Sequence, residues 1–160
     1  MKRPYPRTVV LFVSILVAAA IVVLDRLTKL WAAALTPSDH VLIPRLLALT
    51  HHQNHGLIAN LPVPLFLIIA ITSAVLLVVL YLCTRTILRQ NLIESIAFAC
   101  IVGGAIGNLW DRLAFGYVFD WLMFFNRSIM NAADIAIGLG ILVLFFAMRP
   151  KKIDEQKITL

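Results

Sequence analysis

Two aspartates of this 160-residue chain stand in surroundings that suit acid–base chemistry. Asp120 follows Tyr117 and Phe119 and precedes Trp121, and a carboxyl group in apolar surroundings is expected to have a raised pKa. Asp134 lies at the start of an apolar segment, where an ionisable group is costly and is usually functional. Each also has a simpler interpretation. Asp120 could be an ordinary loop residue, and Asp134 could be an acid in the first turn of a helix capped by Asn131.

Further polar residues follow one face of the preceding apolar segment. Gly104, Asn108 and Arg112 recur at i, i+4 and i+8, so they share a face if the segment is helical. Gly103 and Gly107 form a GxxxG step, which allows close approach of another helix. Packing explains the glycines well. It explains an asparagine and an arginine on the same edge less well.

A third group lies at the end of the first apolar segment. Asp25 and Lys29 are spaced i, i+4, as in a helical ion pair. The simpler interpretation is a surface pair of modest strength. The alternative is that the pair supports the polar residues described above.

Together these residue types indicate an aspartyl protease. Two neighbouring carboxyl groups cannot both ionise, so they share a proton. The ionised carboxylate can take a proton from a water molecule that attacks a peptide carbonyl. The protonated carboxyl can donate to the developing oxyanion and can later help to protonate the leaving amine.

The composition predicts that membrane-spanning helices position these residues. Hydrophobic residues make up 61% of the chain and charged residues 14%, against about 45–50% and about 25% in soluble globular proteins. A helix of about 17–25 residues crosses the hydrocarbon core, and four apolar stretches approach or reach this length: Thr8–Leu24, Leu61–Cys83, Leu92–Leu109 and Ala132–Met148. The first could instead be a signal peptide, but it lacks a polar c-region and runs directly into Asp25. We therefore expect residues 1–160 to form a single all-α membrane domain.

The positions of the basic residues predict the orientation of these helices. Nine of the fourteen Lys and Arg lie in the N-terminal segment, the second connection and the tail, and five lie in the first and third connections. Both termini should therefore face the cytoplasm. Cations at the ends of apolar runs do not form a nucleic-acid-binding face, although the net charge is +6. Five of the eight acids lie in or beside the outer connections: Asp25, Asp39, Asp111, Asp120 and Asp134.

Taken in order, these residues resemble the bacterial lipoprotein signal peptidases (signal peptidase II). The matching pieces are Asp25-x-x-x-Lys29, Asn54-His55-Gly56, the Gly-Gly-Ala-Ile-Gly-Asn-Leu-Trp-Asp-Arg block at 103–112, Gly116-Tyr-Val-Phe-Asp120, and Asn131-Ala-Ala-Asp134. They extend over nearly the whole chain. The block at 103–112 followed by Asp120 is highly specific, whereas Asp-x-x-x-Lys alone is a weak signal.

The resemblance implies that Asp120 and Asp134 are the catalytic pair and that no metal or organic cofactor takes part. It also implies two sets of supporting residues. Asn54, Gly56, Gly104, Asn108, Arg112 and Asn131 would form the substrate site, and Asp25 and Lys29 would support it.

The implied substrates are prolipoproteins, cut just before a cysteine that carries diacylglycerol. The enzyme would be a monomer among the lipids of the bacterial cytoplasmic (inner) membrane, with its active site at the outer leaflet. The outer connections would add a small β-cradle and a short helix to the four helices.

Three details differ from the family pattern. Residues 57–60 read Leu-Ile-Ala-Asn where an Ala-Phe pair, often with a Gly, is usual. Met130 replaces the Phe expected before Asn131, and residues 121–133 make a short segment between the two aspartates. We therefore expect an altered strand edge after Gly56 and an unusual outer flap.

Two other functions compete with the protease. A small transporter or assembly factor could use outer carboxylates to bind a cation, but ionisable groups or broken helices near mid-bilayer would be expected. A zinc site could use His51, His52 and His55 as HHxxH on a helix, but this motif lacks the matching Glu base. Both alternatives explain fewer of the residues than the protease does.

Overall fold

The computed structural model describes residues 5–35, 40–56 and 63–147. These residues form four helices and one four-stranded sheet. In chain order the elements are α1 (Arg7–Ala33), β1 (His40–Ile43), β2 (Leu47–Asn54), α2 (Leu65–Leu88), α3 (Leu92–Phe115), β3 (Val118–Phe124), β4 (Ser128–Met130) and α4 (Ala132–Ala147).

The helices make this a predominantly helical, membrane-type fold. With 27, 24 and 24 residues, α1, α2 and α3 are long and apolar enough to cross a membrane. Within the described residues α4 is apolar but has 16 residues, and Met148, where the fourth predicted span ends, lies outside them. Large apolar side chains on the outer helix faces are exposed, among them Phe12, Phe66, Leu77 and Phe145. Such a surface suits lipid rather than water.

Local sequence sets most of the helix ends. Pro6 and Pro64 precede α1 and α2 at the N-cap position. Asn91 caps α3 by accepting a hydrogen bond from the backbone N–H of Glu94 at 3.3 Å. Gly116 ends α3 in the left-handed conformation, with φ of 80°, which glycine adopts without steric cost. The first predicted span ends at Leu24, but α1 continues for nine more residues and carries Asp25 and Lys29 on helical turns.

Helix α3 is the centre of the bundle, since α1, α2 and α4 all pack against it. Glycines make the closest approaches possible. A Cβ atom at Gly103 would lie 2.7 Å from the carbonyl oxygen of Ala18 in α1, and a Cβ at Gly104 would lie 2.5 Å from that of Ala133 in α4. The GxxxG step therefore packs against α1, while Gly104 packs against α4.

The strands form one antiparallel sheet in the order β1-β2-β3-β4. Leu49 pairs with Leu122, but the register then shifts, so that His52 pairs with Asp120. A bulge of this kind redirects side chains near functional sites. The sheet agrees with the predicted β-cradle. The predicted short helix is not found in the described parts of these connections, from which residues 36–39 and 57–62 are left out.

The segment between the two aspartates is a compact hairpin. It completes β3, turns at Phe125 and Asn126, which both have positive φ, and returns as β4. Met130, at the end of β4, pairs with Leu122. The altered sequence at 57–60 lies outside the described residues.

Candidate active site

Strand β3 places Asp120 at the centre of a polar cluster. The residue is 1% exposed, and both of its carboxyl oxygens accept hydrogen bonds from asparagine side chains. The amide of Asn54 donates to Oδ2 at 2.9 Å, and the amide of Asn131 donates to Oδ1 at 2.6 Å. Asn54 reaches Asp120 because both residues lie on the same face of the β2–β3 pair.

Helix α4 places Asp134 in its first turn, beside the same cluster. Its Oδ1 accepts a hydrogen bond from the side-chain amide of Asn108 at 2.8 Å, and its Oδ2 accepts one from the backbone N–H of Asn131 at 3.2 Å. In return, Oδ1 of Asn131 accepts from the backbone N–H of Asp134 at 3.0 Å. The capping interpretation of Asn131 is therefore confirmed, and the same cap orients Asp134.

Two asparagines connect the two aspartates. The amide nitrogen of Asn131 lies 3.0 Å from Oδ1 of Asn108 and 2.6 Å from Oδ1 of Asp120. Because Oδ1 of Asn108 accepts this bond, its own NH2 group is turned towards Asp134. The structure thus brings together four of the residues predicted from the sequence on three different elements: β3, α3 and the start of α4.

Burial raises the pKa of Asp120 to about 6, from an ordinary value of 3.8. Desolvation of the carboxylate is the largest cause, and the charge of Asp134 acts in the same direction. The hydrogen bonds from Asn54 and Asn131 and the charge of Lys29 oppose the shift without cancelling it. The raised pKa expected from the apolar surroundings of Asp120 is confirmed, and a group that titrates near neutral pH is suited to proton transfer.

A buried charged cluster supports the asparagines from the side of α1. Lys29 Nζ lies 2.8 Å from Oδ2 of Asp25, 2.7 Å from Oδ2 of Asp111 and 3.3 Å from Oδ1 of Asn108. Asp25 and Lys29 are 0% and 4% exposed. The interpretation of this pair as a modest surface ion pair is therefore wrong.

The same cluster contains two residues that were not predicted as part of the site. The guanidinium of Arg26 bridges Asp111 at 2.5 Å and Asp25 at 3.1 Å. Asp111 follows Asn108 by three positions and so lies on a neighbouring part of the same helix face. That spacing could have identified Asp111. No comparable signal singled out Arg26.

Asp25 also fixes the position of α4. Its Oδ1 accepts a hydrogen bond from the backbone N–H of Ala133 at 3.2 Å, directly before Asp134. A Cβ at Gly107 would lie 2.7 Å from Oδ2 of Asp25, so glycine is needed where Asp25 passes α3. Gly104 fills a similar role against Ala133, which makes it a supporting residue at a helix contact.

Arg112 holds the end of β2 against α3. Its Nη2 donates to the carbonyl oxygen of Gly56 at 3.1 Å, and the backbone N–H of Gly56 donates to Oδ1 of Asn54 at 3.1 Å. This bond fixes Asn54 so that its NH2 group points to Asp120. Arg112 and Gly56 therefore act on the carboxyl group through Asn54.

The histidines do not form the helical motif of a zinc site. His51 and His52 lie in β2, where successive side chains point to opposite faces, and His55 follows that strand. The ring of His51 lies 2.6 Å from the carbonyl oxygen of Ala32 in α1. Over residues 5–35, 40–56 and 63–147, no group of three His, Cys, Asp or Glu residues could hold a metal ion.

This chain is similar to known proteins in sequence and in fold. A model of the family described as signal peptidase (SPase) II matches residues 17–149. A lipoprotein signal peptidase of Clostridium tetani is 33% identical over 147 residues, which cover 86% of this chain and 93% of the relative. A lipoprotein signal peptidase of Sinorhizobium fredii is 33% identical over an alignment of 166 positions, which covers 98% of this chain and 95% of the relative. A solved bacterial membrane enzyme has the same fold, with a TM-score of 0.78, 24% identity, and coverage of 96% of this chain and 98% of that one. This chain belongs to the signal peptidase II family.

Proposed function

We propose that Asp120 and Asp134 are the catalytic dyad with which this chain cuts prolipoproteins just before a diacylglyceryl-modified cysteine. As a member of its family, the chain is an aspartic peptidase that removes signal peptides from lipoproteins. The observation that carries the residue assignment is the hydrogen-bond path from Asp120 through Asn131 and Asn108 to Asp134. This path holds two carboxyl groups in fixed orientations at one end of the helix bundle.

The mechanism follows from the unequal surroundings of the two carboxyl groups. Because burial raises the pKa of Asp120 to about 6, we place the shared proton on Asp120. The ionised Asp134 takes a proton from water, and the resulting hydroxide attacks the scissile carbonyl carbon. Asp120 donates its proton to the carbonyl oxygen as the tetrahedral intermediate forms. The intermediate then collapses, and Asp120 recovers its proton from the intermediate's hydroxyl group. Asp134 protonates the leaving amine with the proton that it took from water. This role differs from the expectation above, because Asp120 has already given its own proton to the carbonyl oxygen.

The remaining site residues orient this pair. Asn54 and Asn131 hold Asp120, and Asn108 holds Asp134. Lys29 keeps Asn108 in the required orientation by donating to its oxygen. Asp25 holds the backbone at the start of α4. We assign the contact with the substrate backbone to the edge of β2 near Gly56, which Arg112 fixes in place.

We place the dyad at the outer face of the cytoplasmic membrane, with four spans and both termini inside. The nine-to-five distribution of Lys and Arg supports this orientation. Trp31 and Trp110, near the ends of α1 and α3 that adjoin the dyad, are 52% and 59% exposed. Indole side chains favour the headgroup region, so this end of the bundle suits the membrane surface. We propose that the enzyme is a monomer.

The test is cleavage by the purified protein in detergent micelles or lipid vesicles. A prolipoprotein carrying diacylglycerol on its cysteine should release its signal peptide, and the same precursor without the lipid should be cut far more slowly. Cleavage should persist in the presence of a metal chelator, because we assign no step to a metal. Failure to cut the lipidated precursor would refute the proposed activity, and loss of activity on chelation that zinc restores would refute the dyad mechanism.

A further inference from the structure

The far end of the sheet carries an apolar and cationic surface that the catalytic site does not use. The turn after β1 contains Arg45 and Leu46, and the turn after β3 contains Phe125, Asn126 and Arg127. The two turns lie side by side, since the backbone N–H of Phe125 donates to the carbonyl oxygen of Leu46 at 2.9 Å. We call these five residues the sheet tip. Phe125 is 66% exposed and Leu46 is 39% exposed.

The middle of the sheet contacts the end of α1. His51 in β2 meets the carbonyl oxygen of Ala32, and the ring of Trp121 in β3 lies 5.8 Å from that of Trp31 in an edge-to-face contact. Trp31 is half-exposed at the end of an apolar helix, which is the usual position of an interfacial indole. The middle of β3 therefore lies at the level of the lipid headgroups.

The sheet tip lies away from this contact. Phe125 follows Trp121 by four residues, which at ~3.3 Å per residue is roughly 13 Å along the strand. Among the described elements, β1 and β4, which border the two turns, pack mainly against the neighbouring strands, whereas β2 and β3 also contact α1. A tip that stays at the headgroup level therefore meets lipid there rather than a helix.

The side chains of the tip match a lipid surface. Leu46 directly follows Arg45 and Phe125 lies two residues before Arg127, and all four side chains are exposed. Among the described residues neither arginine forms an ion pair. Apolar side chains flanked by arginine are typical of segments that lie in the interface of anionic membranes.

The neighbouring edge strand extends this surface. All four residues of β1 are exposed, and its apolar members Val41, Leu42 and Ile43 are 63%, 54% and 47% exposed. An apolar edge strand in water is prone to pair with other chains. Contact with lipid covers such side chains without a protein partner.

We propose that the sheet tip inserts Leu46 and Phe125 into the outer leaflet while Arg45 and Arg127 bind anionic lipid headgroups. The occupant of this surface is the membrane in which the chain itself resides. The inference rests on the proposed topology, in which this end of the bundle faces outwards. It adds a second anchor beside the helices.

The anchor sets the height of the dyad above the lipid. Asp120 lies in β3 and Phe125 begins the turn that follows it, five residues further on, so the depth of Phe125 fixes the distance of Asp120 from the bilayer. A substrate held by diacylglycerol presents its scissile bond at a set height as well. Loss of the anchor should therefore weaken productive binding more than it slows the chemical step.

Depth measurement tests the contact without reference to activity. Cys83→Ala and Cys100→Ala remove the native thiols, and Leu46→Cys or Phe125→Cys then carries a nitroxide label in vesicles that contain phosphatidylglycerol. We expect both labels to be more accessible to apolar oxygen than to a polar nickel complex. Ser128→Cys, which is exposed on the same hairpin but outside the tip, is the control. A label there should be more accessible to the nickel complex than the labels at 46 and 125. Labels at 46 and 125 that match this control would refute the insertion. Protection from both reagents, with spin–spin coupling between chains, would show a contact between two copies and would also refute it.

Kinetics test the role of the anchor. The double variant Leu46→Ser, Phe125→Ser is compared with the wild type. The substrate is lipidated precursor in phosphatidylglycerol vesicles. KM should rise roughly fivefold and kcat should stay within about twofold, since only positioning is lost. In detergent micelles, where no flat leaflet exists, the variant should match the wild type, and an unchanged Tm should show that it folds.

The double variant Arg45→Gln, Arg127→Gln tests the contact with anionic headgroups. Its KM should rise only in vesicles that contain phosphatidylglycerol, and not in phosphatidylcholine alone. Equal KM values for the variants and the wild type in vesicles would refute the anchoring role. If the wild type itself fails to cut, the proposed function fails, whereas the depth result still decides the membrane contact.

Discussion

Asn131 donates its side-chain amide to Asp120 over 2.6 Å, and this bond joins the hairpin to the start of α4. The same residue caps α4 and donates its backbone N–H to Asp134 at 3.2 Å. One asparagine thus controls the position of both carboxyl groups. A substitution at either carboxyl group should therefore affect chemistry more than folding.

The first prediction concerns the dyad. Asp120→Asn and Asp134→Asn keep the size of each side chain but can act as neither acid nor base. Each variant should insert in the membrane normally and lose cleavage by about three or more orders of magnitude, because removing one member of a catalytic unit costs most of its effect. Release of signal peptide under single-turnover conditions measures this loss.

Glu94→Gln is the matched control for this pair. It makes the same exchange of carboxylate for amide in the first turn of α3, at the end of the helix remote from Arg112. Its activity should stay within about twofold of the wild type, as for a site that touches no reacting group. Near-normal cleavage by either aspartate variant would show that the dyad is assigned wrongly.

The second prediction concerns pH. If Asp120 holds the shared proton, kcat/KM should fall as the pH rises through about 6, where this carboxyl group ionises. The bond from Asn54 lowers the pKa of Asp120, so Asn54→Ala should raise it and move the alkaline limb to higher pH. A pH–rate profile of both proteins measures the displacement. An unchanged limb, or one displaced to lower pH, would contradict the assignment of the proton.

The same titration should affect stability with a definite sign. The folded pKa of about 6 lies above the ordinary 3.8, so folding favours the protonated form of Asp120. This contribution is complete below about pH 4 and is lost as the pH rises towards about 6. Asp120→Asn, which cannot ionise, should remove that part of the pH dependence of Tm.

The third prediction concerns Lys29. Its amine contacts Asp25, Asp111 and Asn108 inside the bundle, so Lys29→Met leaves two buried carboxylates with Arg26 alone. Breaking a buried ion pair in this way costs about 3–5 kcal/mol of unfolding free energy. At temperatures where the variant remains folded, kcat should still fall roughly 10²-fold, because Asn108 is no longer held towards Asp134.

An exposed cation provides the comparison for Lys29. Arg89→Met removes a positive charge at the end of α2, where the side chain is exposed. Its Tm and kcat should remain near those of the wild type. If Lys29→Met lowers Tm but leaves kcat unchanged, Lys29 stabilises the fold without positioning Asn108.

The fourth prediction concerns helix packing. Gly104→Ala would place Cβ 2.5 Å from the backbone oxygen of Ala133, which cannot move without shifting α4. Such overpacking typically costs about 1–3 kcal/mol and should lower both Tm and activity. Gly138→Ala is the control, since no atom lies within 4 Å of its added Cβ. That variant should keep or raise Tm, because alanine favours helix by up to about 1 kcal/mol.

The fifth prediction concerns topology. In a background with Cys83→Ala and Cys100→Ala, Ser128→Cys should react with an impermeant thiol reagent added to intact cells. Arg89→Cys, in the turn between α2 and α3, should react only after the membrane is opened. Labelling of residue 89 from outside would reverse the orientation.

From the sequence alone, the helical membrane character and the family could be predicted. Continuous apolar runs specify membrane helices because lipid offers no partner for unpaired backbone groups. The two aspartates, Asn108 and Asn131 could be predicted from their motifs. Their hydrogen-bonded connection could not, because it depends on the order of strands and the contact of α3 with α4.

Only the tertiary structure decided which residues meet across helices. Helical periodicity shows that Asp25 and Lys29 share a face, but not that this face is buried against Asp111 and Arg26. Burial in turn decides their strength, since ion pairs screened by water contribute little and buried ones cannot lose a partner without cost. The pKa of Asp120 was predictable in direction because aromatic neighbours are visible in the sequence. Its value of about 6 depends first on the burial of the carboxyl group and then on Asn54, Asp134 and Asn131, and only the fold provides that burial and those neighbours.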